Sequence, residues 1–303
     1  MSGWLIALEG TDAGRWLAVG LAMLAAVLHA AFGALQKGRH DPWLTRGAID
    51  ISYGLMAAPF ALFVVPWPEP FMWPVFAFMW IIHMIYKLLQ AMAYSRGAYT
   101  LVYPVVRGTG PLVTVLAAGA VFSEVFLPLQ WLGVLVLSGG IFGLAIYNYR
   151  QTKYGREILL GALGLAFMTG VMTAAYTTYD AFGIRKTADP FTFLAWFFLI
   201  DGFAFPLIAL TRYRSMATAP PLQGLMLRGL AGGVIGLFSF GSIMLATRLG
   251  KVGEAAVLRE TSTIFAALIG WFFLKETVGA RRAALMGLIA LGAVLVEFGG
   301  RGH

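Results

Sequence analysis

The chain has 303 residues, 59% of them hydrophobic and 12% charged, with a net charge of +8 and a mean hydropathy of +0.79. Soluble domains carry about 25% charged residues, so a soluble fold is excluded, and only helices or closed barrels satisfy their backbone in lipid. The apolar runs are continuous over roughly 20 residues and lack the period-two alternation of barrel strands, which selects an all-α membrane protein.

Other classes fall away on composition. Without cysteine there is no disulfide frame, thiolate metal site or cysteine nucleophile, and the few histidines are too scattered for a metal site. No catalytic motif is recognisable, and neither a cofactor nor a metal is expected. The basic residues lie mostly in loops, where their partner is membrane lipid. No basic run with interleaved aromatics points to nucleic acid.

The first fourteen residues hold Glu9 and Asp12 and no cation, the wrong start for a secretory signal, so the first apolar run is predicted to be a retained helix. Ten spans follow, at about 16–36, 47–66, 72–95, 98–122, 127–148, 158–184, 191–211, 223–247, 253–274 and 280–298. Trp16, Trp43, Trp67, Trp73, Trp131, Tyr147 and Tyr149 sit near span ends, as interfacial aromatics do. The longest linkers, 37–46, 149–157 and 212–222, are too short for a soluble domain.

The first span carries His29, a bundle residue or a proton carrier. Ile49-Asp50 puts an acid near the start of the second span, and Ile200-Asp201 repeats it in the seventh. Either acid pairs with a buried cation or carries a coupling proton. In the third span His83, Lys87 and Gln90 share one face at i, i+4 and i+7, a stripe that turns inward to hydrogen-bond or to line a wet cavity.

The fourth span contains Tyr103-Pro-Val-Val-Arg-Gly-Thr-Gly-Pro-Leu112 and runs on to Phe122-Ser-Glu124. Arg107 lies roughly 13 Å deep, beyond easy snorkelling. Gly108, Gly110 and Pro111 weaken the helix just past it, as a hinge or as an ordinary proline kink. The ninth span repeats the theme in Val257-Leu-Arg-Glu-Thr-Ser-Thr263, running on to Lys275-Glu276. Arg107 to Glu124 and Arg259 to Glu276 are both 17 residues, and the copies are 152 residues apart. A guanidinium is a planar fork suited to carboxylate or phosphate. Arg107 and Arg259 therefore hold an anionic group of a cargo, or they pair with Asp50, Asp201 or Glu260. Ser262 adds a hydroxyl beside Arg259. Tyr103, Tyr179 and Trp196 are aromatic candidates for a cavity wall. Asp180 reads as a helix-end acid, and Glu124 and Glu276 as turn caps or junction ion pairs.

Gly229, Gly232, Gly233 and Gly236 in the eighth span allow close helix packing, either within the chain or at the seam of a homodimer. The halves agree beyond the arginines, since Phe32-Gly33 precedes Asp41-Pro42 as Phe182-Gly183 precedes Asp189-Pro190. Residues 1–149 and 150–303 thus form two repeats of five spans. Five is odd, so the second repeat enters the membrane inverted, the plan of secondary transporters with a site between the halves.

Leu28-His-Ala-Ala-Phe-Gly-Ala-Leu-Gln-Lys37, Tyr103-Pro-Val-Val-Arg-Gly-Thr-Gly-Pro111, Tyr179-Asp-Ala-Phe-Gly-Ile-Arg185 and Leu258-Arg-Glu-Thr-Ser262 carry a resemblance. The chain resembles the EamA branch of the drug/metabolite transporter superfamily over nearly its whole length. The resemblance implies a basket-like bundle of ten helices with a central cavity, and small metabolites such as amino acids as cargo. Where relatives often have Trp-Asn after the His-Ala pair, this chain has Phe32-Gly33, so a polar cavity group is absent.

The expectation is a secondary active transporter in the cell inner (plasma) membrane. It moves a small anionic or zwitterionic metabolite by alternating access. Drug-like or cationic cargo is the alternative. The rival functions are a non-transporting membrane subunit or receptor, and a lipid-modifying intramembrane enzyme.

Overall fold

The computed structural model describes residues 2–36, 41–96, 99–151, 156–274 and 279–300; Glu276 and its neighbours Lys275 and Val278 lie outside them. The described residues are helical nearly throughout. A short α1 (Gly3–Ile6) precedes α2 (Asp12–Gln36), α3 (Pro42–Phe63), α4 (Met72–Arg96), α5 (Tyr99–Phe122) and α6 (Pro128–Gln151). The second half holds α7 (Arg156–Lys186), α8 (Pro190–Asp201), α9 (Ala204–Ser215) and α10 (Leu222–Leu249). It ends with α11 (Val252–Arg259), α12 (Ser262–Leu274) and α13 (Ala280–Gly299).

Both Asp-Pro pairs start helices in one way. Asp41 Oδ1 accepts from the amides of Trp43 and Leu44, and Asp189 Oδ1 from those of Phe191 and Thr192. Proline takes the first helical position, where its missing N–H costs nothing.

Seven stretches are long and apolar enough to cross a membrane: α2, α4, α5, α6, α7, α8 with α9, and α10. The other three expected spans fall short for separate reasons. α3 has the length, but Arg46 and Asp50 lower its hydropathy. α13 has a shorter apolar stretch, Ala283–Gly299. The ninth span divides into α11 and α12.

The two arginine-bearing copies differ here. The α5 helix is continuous through Pro104 and Pro111. Gly108 and Gly110 instead let neighbours close in, since a Cβ would stand 3.2 Å from the Phe142 ring at Gly108 and 3.5 Å from Thr173 Cγ2 at Gly110. The interruption falls in the other copy, at Glu260–Thr261. There the backbone tightens to i→i−3 bonds, and Thr261 Oγ1 donates to the Leu258 carbonyl at 2.7 Å, competing with the helical ladder.

α8 and α9 part at Gly202. A Cβ there would sit 2.6 Å from the Gly54 Cα, so α3 and α8 cross backbone to backbone beside Asp50 and Asp201. Elsewhere α6 lies along α13. α2 packs on α10, α11 and α12, while α7 packs on α4 and α5. The outward faces carry Phe60, Phe63, Leu116, Leu135, Leu207 and Phe238, apolar groups that suit lipid.

Gly229, Gly232, Gly233 and Gly236 of α10 face inward. A Cβ on Gly229 would lie 2.6 Å from the Ala48 carbonyl, and one on Gly233 would lie 2.8 Å from Ser52 Cβ. The small-residue stripe is therefore a contact with α3 inside the chain. The α6–α13 seam is equally close, because a Cβ on Gly292 would meet the Leu137 amide at 2.5 Å and the Gly133 carbonyl at 2.6 Å. Backbone cannot yield as a side-chain end can. Gly292→Ala should cost about 1–3 kcal/mol through overpacking, read as a lower unfolding midpoint in detergent. Gly287→Ala, with nothing within 4 Å, should leave the midpoint in place.

Candidate functional site

Buried charge gathers in two groups at the centre of the bundle. The first surrounds Lys87 on α4, which is 1% exposed. Its Nζ stands 2.7 Å from Asp50 Oδ2 and 2.7 Å from Asp201 Oδ1. It also donates to the Asp201 carbonyl at 2.9 Å and to Tyr53 Oη at 3.2 Å. Four contacts exhaust three N–H donors, so Lys87 has nothing left for a cargo in this conformation. Arg46 Nε is 2.7 Å from Asp50 Oδ1, and Tyr53 donates to Asp201 Oδ2. One turn before Lys87, His83 Nε2 is 2.9 Å from Asp180 Oδ2, while Nδ1 is 3.8 Å from Asp201 Oδ1.

The second group joins α5 to the α11–α12 break. Arg107 Nε stands 2.7 Å from Glu260 Oε2, a charge contact without an aligned hydrogen bond. Its aligned bond runs from Nη2 to Ser262 Oγ at 2.9 Å. Arg259 Nε is 3.8 Å from Glu260 Oε1, and its Nη2 reaches Thr177 Oγ1 at 3.5 Å. Two guanidinium groups thus share one carboxylate. Arg107, Arg259 and Glu260 are each at most 4% exposed. The Tyr103 ring lies 5.7 Å from the Arg107 guanidinium carbon, in cation–π range.

The groups meet at α7. Asp180 and Arg259 line one void of about 10 Å³, room for about one water, and Asp180 Oδ1 has no hydrogen-bond partner. Arg46, Lys87, Arg107 and Arg259 stand against Asp50, Asp180, Asp201 and Glu260. With His83 neutral the formal charge across both groups is zero. Burial of this much charge is tolerable because nearly every member has an opposite partner within 4 Å.

The remaining sequence candidates spread out. Gln90 donates to Tyr86 Oη at 2.6 Å, on the inward face of α4. His29 packs against Phe32, its ring 6.1 Å away, within electrostatic reach of Arg107 and Arg259. Trp196 packs tilted against Trp67 and edge-on to Trp73, with ring centroids 4.8 and 5.2 Å away, in an aromatic cluster. Tyr179 lies edge-on to Phe78, which is half exposed, so it looks outward while Asp180 looks inward. Glu124 caps α11, accepting from the amides of Val252 at 2.7 Å and Gly253 at 3.1 Å, and meets Arg185 at 3.4 Å.

Sequence reading missed Arg46, Tyr53 and Asp180. The signal for the first two was present, because Arg46, Asp50 and Tyr53 lie at i, i+4 and i+7 on one face of α3. Asp180 also had a signal, since Thr173, Thr177 and Asp180 repeat that spacing on α7.

The EamA-like transporter family matches residues 160–298. A solved crystal structure, titled only as that of a protein, superposes with a TM-score of 0.75 over 96% of this chain and 99% of its own, at 17% identity. That likeness speaks for the fold alone. No curated protein matches in sequence. Residues 160–298 are thus similar to the EamA-like transporter family, and the chain is a helical, multi-pass membrane protein.

Proposed function

We propose that the chain is a secondary active transporter of a small anionic or zwitterionic metabolite, working by alternating access in the cell inner (plasma) membrane. The observation that carries this reading is the sharing of Glu260 between Arg107 and Arg259. A buried carboxylate held between two guanidinium charges is what a cargo carboxylate would look like in the same place. Glu260 stands in for it while the site is closed. A cargo anion displaces Glu260 or arrives with a proton, because the two charge groups cancel without it. His83, midway between Asp180 and Asp201, is placed to take that proton.

Two inverted repeats, residues 1–149 and 150–303, account for the contacts. The first helix of each half packs on the third and fourth of the other: α2 on α10 and α11–α12, α7 on α4 and α5. An odd number of spans per half inverts the second. The void beside Arg259 has room for about one water and none for a metabolite, so the halves must part to admit cargo. 

A thermal-shift screen of the detergent-solubilised protein against metabolites grouped by charge tests the reading. Stabilisation is expected from carboxylates and zwitterions. Glu260→Gln removes the internal competitor, so the same compounds should bind more tightly while turnover slows. Stabilisation confined to organic cations, or an unchanged anion affinity in Glu260→Gln, would count against the site.

A further inference from the structure

A larger cavity lies apart from the charged centre. It occupies about 500 Å³ between the start of α3, the 216–221 linker and the first two turns of α10. Met216, Pro220 and Leu225 make its walls largely apolar. Its floor is shut, because α3 and α10 meet backbone to backbone where Gly229 faces Ala48. This cavity is therefore a pocket at one membrane face and not a passage to Lys87 in this conformation.

Two of its lining residues carry polar groups without a partner among the described residues. Thr45 is 7% exposed, and its Oγ1 makes no hydrogen bond. Arg228, half-buried on α10, has no ion pair or hydrogen bond among the described residues. Asp41 also lines the cavity, but its charge is engaged. Oδ2 accepts from Arg212 Nε at 2.8 Å and Nη2 at 2.6 Å, and Oδ1 takes two backbone amides. Burial raises the Asp41 carboxyl pKa, yet those bonds outweigh it and hold the group below its ordinary value. Among the described residues the cavity thus keeps one uncompensated cation and one buried hydroxyl in an apolar cleft. Beside it Leu222, Met226 and Leu227 lie exposed on α10, an apolar path toward the acyl chains of a bilayer.

We propose that this cavity binds an anionic phospholipid. Arg228 and the Thr45 hydroxyl take its phosphate, and its chains leave across Met226 and Leu227. A phosphodiester matches the guanidinium fork and accepts from the hydroxyl, and the apolar walls suit the glycerol and first methylenes. The site differs from general attraction of anionic lipid to surface arginines, because it needs one particular arginine and a cleft.

The intact chain in detergent is titrated with dioleoyl phosphatidylglycerol, dioleoyl phosphatidylcholine and inorganic phosphate, and bound lipid is counted by native mass spectrometry. Phosphatidylglycerol should be retained at least about fivefold more strongly than phosphatidylcholine, the worth of roughly one arginine facing an anionic lipid. Arg228→Gln should erase that preference and Thr45→Val should reduce it. Arg214→Gln, at an exposed arginine outside the cavity, should leave it intact. Because Arg228 has no partner among the described residues, its loss orphans none of them, and an unchanged unfolding midpoint in lipid-free detergent checks the fold. Equal retention of both lipids, full preference in Arg228→Gln, or loss of it in Arg214→Gln overturns the proposal. So does competition by inorganic phosphate at the lipid's own concentration, which would make this a free-anion site.

Discussion

Arg107→Lys is expected to leave a folded protein that no longer moves cargo. Lysine keeps the positive charge beside Glu260, so the 2.7 Å ion contact survives in some form and the buried carboxylate is not orphaned. What it loses is the fork. Arg107 reaches Glu260 through Nε and Ser262 through Nη2 at once, and a single ammonium at the end of a flexible stem holds no carboxylate in that plane. A hydrogen bond to a charged group is worth about 1.5–3 kcal/mol, so losing one arm of the fork corresponds to at least about 10-fold in cargo affinity. Arg107→Ala should lose transport as well, but it also leaves Glu260 to Arg259 alone at 3.8 Å, so its unfolding midpoint should fall. The pair of variants therefore separates function from stability. Flux into proteoliposomes of the compound that gives the largest thermal shift is the measurement. Wild-type flux in Arg107→Lys would falsify the role given to the fork.

How much of this was legible in the sequence divides along a physical line. Apolar runs are local, and they put α2, α4, α5, α6, α7, α10 and α13 within a few residues of where they lie. The 152-residue offset put Arg107 and Arg259 at corresponding places, and in the fold they meet at Glu260. The interruption could not be located the same way. Pro111 is the stronger helix breaker on any local scale, but neighbouring packing carries α5 through it, and hydroxyl competition at Thr261 ends α11 instead. Partner choice was equally illegible. Nothing in the chain near Asp180 says that His83, 97 residues earlier, will bond to it. Arg228 escaped notice for a related reason: a lone arginine near a span end reads as a snorkelling residue until the 216–221 linker is folded over it. Trp196 and Tyr179 show the limit of composition, since aromatics in a membrane helix pack on one another or face lipid as readily as they line a cavity.

Lys87→Met should be the most destabilising single change in the first charge group. The ammonium holds two carboxylates, one from each half of the chain, and both are nearly or wholly inaccessible. After the substitution Asp50 keeps Arg46 at 2.7 Å, but Asp201 is left with the Tyr53 hydroxyl and His83 at 3.8 Å. An uncompensated buried charge of this kind costs about 3–5 kcal/mol. At about 2–4 °C per kcal/mol, the unfolding midpoint in detergent should drop by roughly 10 °C. The mechanism predicts its own remedy. Lys87→Met with Asp201→Asn restores formal neutrality, so the double variant should be more stable than Lys87→Met alone and should recover most of the lost midpoint. A double-mutant cycle reports this coupling directly, because the residues touch and their effects should not add. If the double variant proves no more stable than the single one, Lys87 stabilises the bundle by packing its stem and not by its charge. The pin between α3, α4 and α8 would then have to be sought in the Gly54–Gly202 crossing, where the two backbones already touch.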